Sequence, residues 1–136
     1  MAQTLILISH GAFCRELKKS TEMIMGPQDN ILTAELQPNE GADDFKEKLL
    51  RLIAGLDDVL VFADLMGGTP CNVASRLLME GHQFELYAGM NMPMVIGFIN
   101  ACLIGEAFDF KAFACDNIHH VNTLISALAD DDDDDD

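Results

Sequence analysis

His10 and Asp64 each stand where an apolar run stops: His10 closes "LILISH" and Asp64 closes "VLVFAD". A carboxylate beside an imidazole accepts the proton of one ring nitrogen, fixes the tautomer and leaves the other nitrogen's lone pair free to attack. It also favours a positively charged ring, which suits an imidazole that holds a phosphoryl group. Gly11 follows the first run, and Gly67, Gly68 and Thr69 follow the second. Glycines let backbone amides approach a ligand closely, and each group precedes a helical pattern whose N-terminus favours an anion. A phosphate there would be held by amides and the Thr69 hydroxyl, with no Lys or Arg required. Taken singly, each feature has an ordinary structural reading: His10 as a cap, Asp64 as a loop opener, "GGTP" as a tight turn and helix cap. Their recurrence at two strand ends favours chemistry.

Other residue types narrow the class. The chain has no GxxxxGK[ST] phosphate loop. With no Trp and a single Tyr, Tyr87, a stacked flavin is poorly supported. A phospho-aspartate receiver would want acids at the end of the first strand, where this chain has Ser9 and His10. The favoured acceptor is therefore histidine. His82 follows Gly81 in a helix-strand turn and reads as solvent-exposed, while His119 and His120 are adjacent and cannot clamp one metal from a helix. Met90, Met92 and Met94 read first as adaptable core filler, with a crevice lining as the alternative. Cys14, Cys71, Cys102 and Cys115 form no CxxC pair, so zinc spacing is absent and free thiols are expected. Neither a metal nor a cofactor is expected.

The elements that must position these groups alternate between apolar runs and helical patterns, the signature of βαβ units around a parallel sheet. Strands are expected at Thr4–Ser9, Ile31–Leu36, Val59–Asp64 and Phe84–Gly89. A helix is expected from about Ala12 to Met25, ended by Gly26 and Pro27. The next carries an apolar stripe of Phe45, Leu49, Leu52, Ile53 and Leu56. A third opens with Thr69 as N-cap and Pro70 as first helical residue, running to Gly81. A fourth spans Pro93 to about Leu103, and a last helical segment spans Phe108 to Leu128. The expected fold is α/β, a doubly wound three-layer sandwich with a four-stranded parallel sheet. Ligands of such sheets bind at the carboxyl ends of the strands, where strand order reverses. If the first and third strands are neighbours there, His10 and Asp64 meet.

Size and charge bound the rest. A chain of 136 residues suits one domain, here taken as residues 1–129. Residues 130–136 are seven consecutive aspartates, which repel one another and read as a solvated, disordered tail. Without them the formal charge falls from −15 to −8, still acidic, so nucleic acid is an unsuitable partner. No apolar run reaches the ~18 residues of a membrane span, and "LILIS" lacks the flanks of a signal peptide, so a cytoplasmic location is expected.

Three stretches, "LILISHGAFCRELKKSTEMIMG", "VLVFADLMGGTPCNVASRLL" and "YAGMNMPMV", resemble the enzyme IIA component of mannose-family bacterial phosphotransferase systems (PTS). The resemblance covers about Thr4 to Leu128. It implies a phosphotransferase whose histidine, here His10, accepts a phosphoryl group from phospho-HPr and passes it to a IIB component. The membrane IIC and IID components are then engaged only indirectly. It matches the orienting aspartate to Asp64 and the phosphate-bordering turn to Gly67, Gly68, Thr69 and Pro70. It further implies a homodimer with a C-terminal strand exchanged between subunits. Some members carry an aromatic residue where this chain has Met66, and some continue through a linker into a IIB domain. Phe13, Met66 and Met92 are the expected partner-contacting rim. Two alternatives stand beside this reading. One is a phosphoryl carrier of a dihydroxyacetone kinase system, disfavoured by "GGTP" and "NMP"; the other is a regulatory module whose phosphorylation only reports sugar supply.

Overall fold

The computed structural model describes residues 3–134. Along the chain lie β1 (Thr4–His10), α1 (Phe13–Met25), β2 (Ile31–Leu36), α2 (Ala42–Ile53), β3 (Val59–Ala63) and α3 (Thr69–Met79). They are followed by β4 (Glu85–Ala88), α4 (Met92–Ile104), α5 (Phe110–Asp116) and α6 (Val121–Asp134). The strands form one parallel sheet in the order β2-β1-β3-β4. β1 is thus central and adjacent to β3, and strand order reverses between them, which puts a crevice at their carboxyl ends.

Successive side chains of a strand face opposite sides of the sheet. In β1, Leu5 and Leu7 pack on one side with Leu17 of α1, Phe98 of α4 and Phe110 of α5. Ile6 and Ile8 pack on the other with Phe45 and Leu49 of α2 and Val73 and Leu77 of α3. β3 divides the same way, Leu60 and Phe62 against Val59, Val61 and Ala63. Helices therefore cover both faces, giving the three-layer sandwich, and a strand buried on both faces reads as an unbroken apolar run. The alternation continues past that run: Ser9 falls on the α1 side and His10 on the α3 side.

Several boundaries differ from the sequence reading. The N-cap of α3 is Gly68, so Thr69 already belongs to the first helical turn and Pro70 lies one place further in. The extended φ of −83° and ψ of 164° at Gly68 supply the non-helical backbone a cap needs, and no side-chain cap bond is made there. The last helical segment is two helices, parted at 117–120. Phe62, Tyr87, Phe108, Phe110 and Phe113 form an edge-packed aromatic chain that seats α5 beside β3 and β4, with centroids 5.0 to 5.9 Å apart.

The exchanged C-terminal strand implied by the resemblance has no counterpart among the described residues, whose sheet has four strands. Its place is taken by α6, because Val121, Leu124, Ile125 and Leu128 recur at helical rather than two-residue spacing. These four side chains are exposed. α6 runs through Asp134, past the Asp130 boundary expected for an acidic tail, although aspartates at a helix C-terminus oppose its dipole. Asp135 and Asp136 lie outside the described residues.

Candidate functional site

β1 outlasts β3 on the sheet. Ile8 pairs with Ala63, and the Asp64 amide then donates to Ile8 O at 3.1 Å, so Asp64 sits beside the end of β1. From there one carboxylate oxygen, Oδ2, accepts from both the His10 amide at 3.0 Å and His10 Nδ1 at 2.7 Å. Oδ1 accepts from the Leu65 amide at 2.9 Å. An ionised carboxylate has no proton to give, so the ring proton resides on Nδ1 and the lone pair on Nε2. Partial burial pushes the Asp64 carboxyl up, but the bonds from the His10 ring, the His10 amide and the Leu65 amide outweigh it. They hold Asp64 below the ordinary carboxylate value. The Asp64 side chain is only 10% exposed, whereas that of His10 is 49% exposed. The carboxylate is sheltered and the imidazole it holds faces outward.

The turn after β3 supplies the other wall. Gly67 has φ of 90°, a left-handed conformation that glycine adopts without strain, and its carbonyl accepts from the Asn72 side chain at 3.2 Å. Gly68 lies flush against the imidazole: a Cβ there would be 2.6 Å from His10 Cε1 and 3.3 Å from Nε2. The amides of Gly68, Thr69 and Cys71 donate to no other group among the described residues, and with the start of α3 they form an anion-favouring edge beside the ring.

The structure brings His10, Asp64 and Gly68 together, with Thr69 following Gly68 as the first residue of α3, and redistributes the roles of the glycines. The Gly11 amide, expected to face a phosphate, is committed to Leu36 O at 2.8 Å. What Gly11 contributes is its φ of 54°, which turns the chain from β1 into α1. Gly68 provides clearance for the ring as well as an amide. Of the expected rim, Phe13 is 49% and Met66 85% exposed, while Met92 is half-buried against the core. Met90 and Met94 are core. His82, His119 and His120 are exposed and stand outside this cluster.

Three residues escaped the sequence reading. Leu65 is 50% exposed beside Met66, extending the apolar rim. Asn72 pins the Gly67 carbonyl, and an amide side chain one turn into a helix carries no sequence signal of that kind. Ser9 is fully buried and bridges the two ends of the turn around His10. A hydroxyl interrupting an apolar run just before a candidate histidine was the available signal.

Known proteins resemble this chain in sequence and fold. The family described as PTS system fructose IIA component matches residues 4–112. The chain is 33% identical over 112 residues to the PTS system mannose-specific EIIAB component of Escherichia coli (strain K12), covering 80% of this chain and 35% of that protein. It is 32% identical over 96 residues to the PTS system fructose-specific EIIA component of Bacillus subtilis (strain 168), covering 68% of this chain and 66% of that protein. It thus spans about a third of the mannose-specific relative and about two thirds of the fructose-specific one. The crystal structure of phosphotransferase system component EIIA from Streptococcus agalactiae superposes with a TM-score of 0.79 at 25% identity, covering 90% of this chain and 99% of that one.

Proposed function

The chain belongs to the family of PTS system fructose IIA components, and from that premise we propose that it is a phosphoryl carrier, accepting on His10 from phospho-HPr and donating to a IIB component. The observation that carries this reading is the His10 ring itself, with Nδ1 held by Asp64 at 2.7 Å and Nε2 left open beside Gly68. The Nε2 lone pair attacks phosphorus. A new N–P bond forms as the bond to the donor's nitrogen breaks, and the donor ring departs with that electron pair. The His10 ring keeps its Nδ1 proton and becomes cationic, a charge that the Asp64 carboxylate faces directly. Transfer onward reverses these roles at the IIB nucleophile. The transition state is loose and its charge lies on the phosphoryl oxygens, so the protein's task is positioning and stabilisation by amides. The amides of Gly68, Thr69 and Cys71 and the Thr69 hydroxyl are the groups that would supply it.

A half-exposed ring, with exposed Phe13, Leu65 and Met66 in the segments that follow β1 and β3, suits a donor and an acceptor that are themselves proteins. The sugar is touched by the partners rather than by this component, and the membrane IIC and IID components are reached only through IIB. The protein acts in the cytoplasm as a homodimer, for which the exposed apolar face of α6 offers a contact surface. Residues 1–129 form the functional domain, with the acidic run as an appendage. His10→Ala should take up no phosphoryl group from phospho-HPr; acid-labile label persisting on that variant would sink the assignment. Relay from the phosphorylated protein to a IIB partner separates a carrier from a module that only reports sugar supply.

A further inference from the structure

We propose that Ser9 is a positioning residue for phosphoryl transfer: it locks the turn around His10 so that the ring stays seated against Gly68. The inference rests on the reading of His10 as the phosphoryl acceptor.

Ser9 is fully buried, one of two buried polar residues among those described. Its hydroxyl donates to Gly11 O at 3.0 Å and accepts from the Cys14 amide at 2.8 Å. One side chain thereby ties the residue before His10 to the residue after it and to the first turn of α1. The formal N-cap of α1, Ala12, makes no side-chain cap bond. Capping from within the helix entry would stabilise α1 alone. Capping from the end of β1 also makes the start of α1 hold the strand end that carries His10.

The alternation of β1 explains how one dipeptide serves both ends. Ser9 falls toward α1, where Cys14 waits, and His10 falls toward α3, where Gly68 waits. The seat has little slack, since even a methyl at Gly68 would come within 2.6 Å of His10 Cε1. Without the Ser9 hydroxyl, the part-buried Gly11 carbonyl and the buried Cys14 amide lose this partner, and the turn from Gly11 to Cys14 must shift or admit water to satisfy them. That turn joins His10 through Gly11, so a shift in it moves the backbone that carries the ring. A displacement of about 1 Å at a reacting centre costs on the order of a hundredfold in rate.

The test compares Ser9→Ala with wild type, with Ser9→Thr, which keeps the hydroxyl, and with Thr21→Val. Thr21 is the other buried polar residue; it bonds Leu17 O within α1 and lies a strand-to-helix turn and two helical turns from His10. Ser9→Ala should lower the maximal rate of transfer from phospho-HPr by about ten- to a hundredfold, with the half-saturating donor concentration unchanged. It should also weaken the nuclear Overhauser effect between His10 Hε1 and Gly68 Hα. Ser9→Thr should restore both readouts, and Thr21→Val should lower the melting temperature while leaving both unchanged. A wild-type rate and contact in Ser9→Ala, or a loss matched by Thr21→Val, would overturn the proposal. Should the Ala variant not fold, Ser9→Cys, similar in size but a weak donor, should show the same two losses in smaller measure, and their absence counts against it equally. Should wild type take up no phosphoryl group, the reading of His10 fails instead. Ser9 is then judged on the His10–Gly68 contact, which an unaltered signal in Ser9→Ala refutes.

Discussion

Replacing Gly68 by alanine puts a methyl group where the His10 ring already is. The new Cβ would lie 2.6 Å from His10 Cε1, 3.3 Å from Nε2 and 3.3 Å from Leu65 Cδ2. Carbon atoms in good contact sit about 3.5 to 4.0 Å apart, so the ring must retreat by about 1 Å. Backbone strain does not intervene, because φ of −83° and ψ of 164° suit any residue. Nor does the core, because the ring is half-exposed and can swing toward solvent. The cost falls on the Nδ1–Oδ2 bond and on the aim of Nε2. Misplacement by about 1 Å is worth roughly a hundredfold, or about 2.7 kcal/mol of barrier. Gly68→Ala should therefore fold and melt near wild type yet transfer about a hundredfold more slowly in single-turnover mixing with labelled phospho-HPr. Gly67→Ala provides the contrast. Nothing lies within 4 Å of a Cβ there, but φ is 90°, so its cost of about 1 to 2 kcal/mol should appear in stability. A Gly68→Ala rate within threefold of wild type would refute the claim that this glycine seats the ring.

Asp64→Asn keeps the shape of the site but cannot face a cationic ring with a charge, so transfer should fall by at least about tenfold while the fold persists. Because the folded-state pKa of Asp64 is depressed, its carboxylate adds stability above the ordinary value of about 3.9, and that stability disappears as pH falls through the folded value. The melting-temperature gap between wild type and Asp64→Asn should hold from neutrality to about pH 5 and close below about pH 4; a gap that widens in acid would contradict the sign. Phe13→Ala combined with Met66→Ala should raise the donor concentration needed for half-maximal transfer with little change in the maximal rate, and a change in maximal rate alone would move these residues from docking to chemistry. Cys102 and Cys115 are exposed while Cys14 and Cys71 are buried, so two thiols should react with maleimide in the native protein and four after unfolding. Burial pushes up the thiols of Cys14 and Cys102, the former against the opposing Ser9 bond, so Cys14 should be the more sheltered of the two in native labelling.

Strand identity and the chemical character of the strand ends were legible in the sequence, because an apolar run covered on two faces announces itself and its last residue is where the chain meets solvent. His10 and Asp64 could be singled out on that ground. Their contact could not, since it depends on β1 and β3 being neighbours, a property of the sheet order and of no local pattern. The roles of the glycines were legible only as permissiveness. Whether an amide is free or spent on a neighbour is settled by what lies opposite: Leu36 O takes the Gly11 amide. Nothing among the described residues takes that of Gly68. Ser9 was hidden for a related reason, as its partners lie two and five residues ahead, across a turn whose path the sequence does not specify. At the C-terminus, Val121, Leu124, Ile125 and Leu128 carried a helical period that the structure follows, while the resemblance implied a strand that the described residues do not form.

The central claim is that His10 carries the phosphoryl group on the nitrogen opposite Asp64. Incubating the protein with phosphoenolpyruvate, enzyme I and HPr, then locating the label by mass spectrometry and the ring nitrogen by NMR, tests it directly. The account predicts one acid-labile phosphoryl group, on His10 Nε2. A chain that stays unlabelled, or a label on His82, His119, His120 or His10 Nδ1, would contradict it.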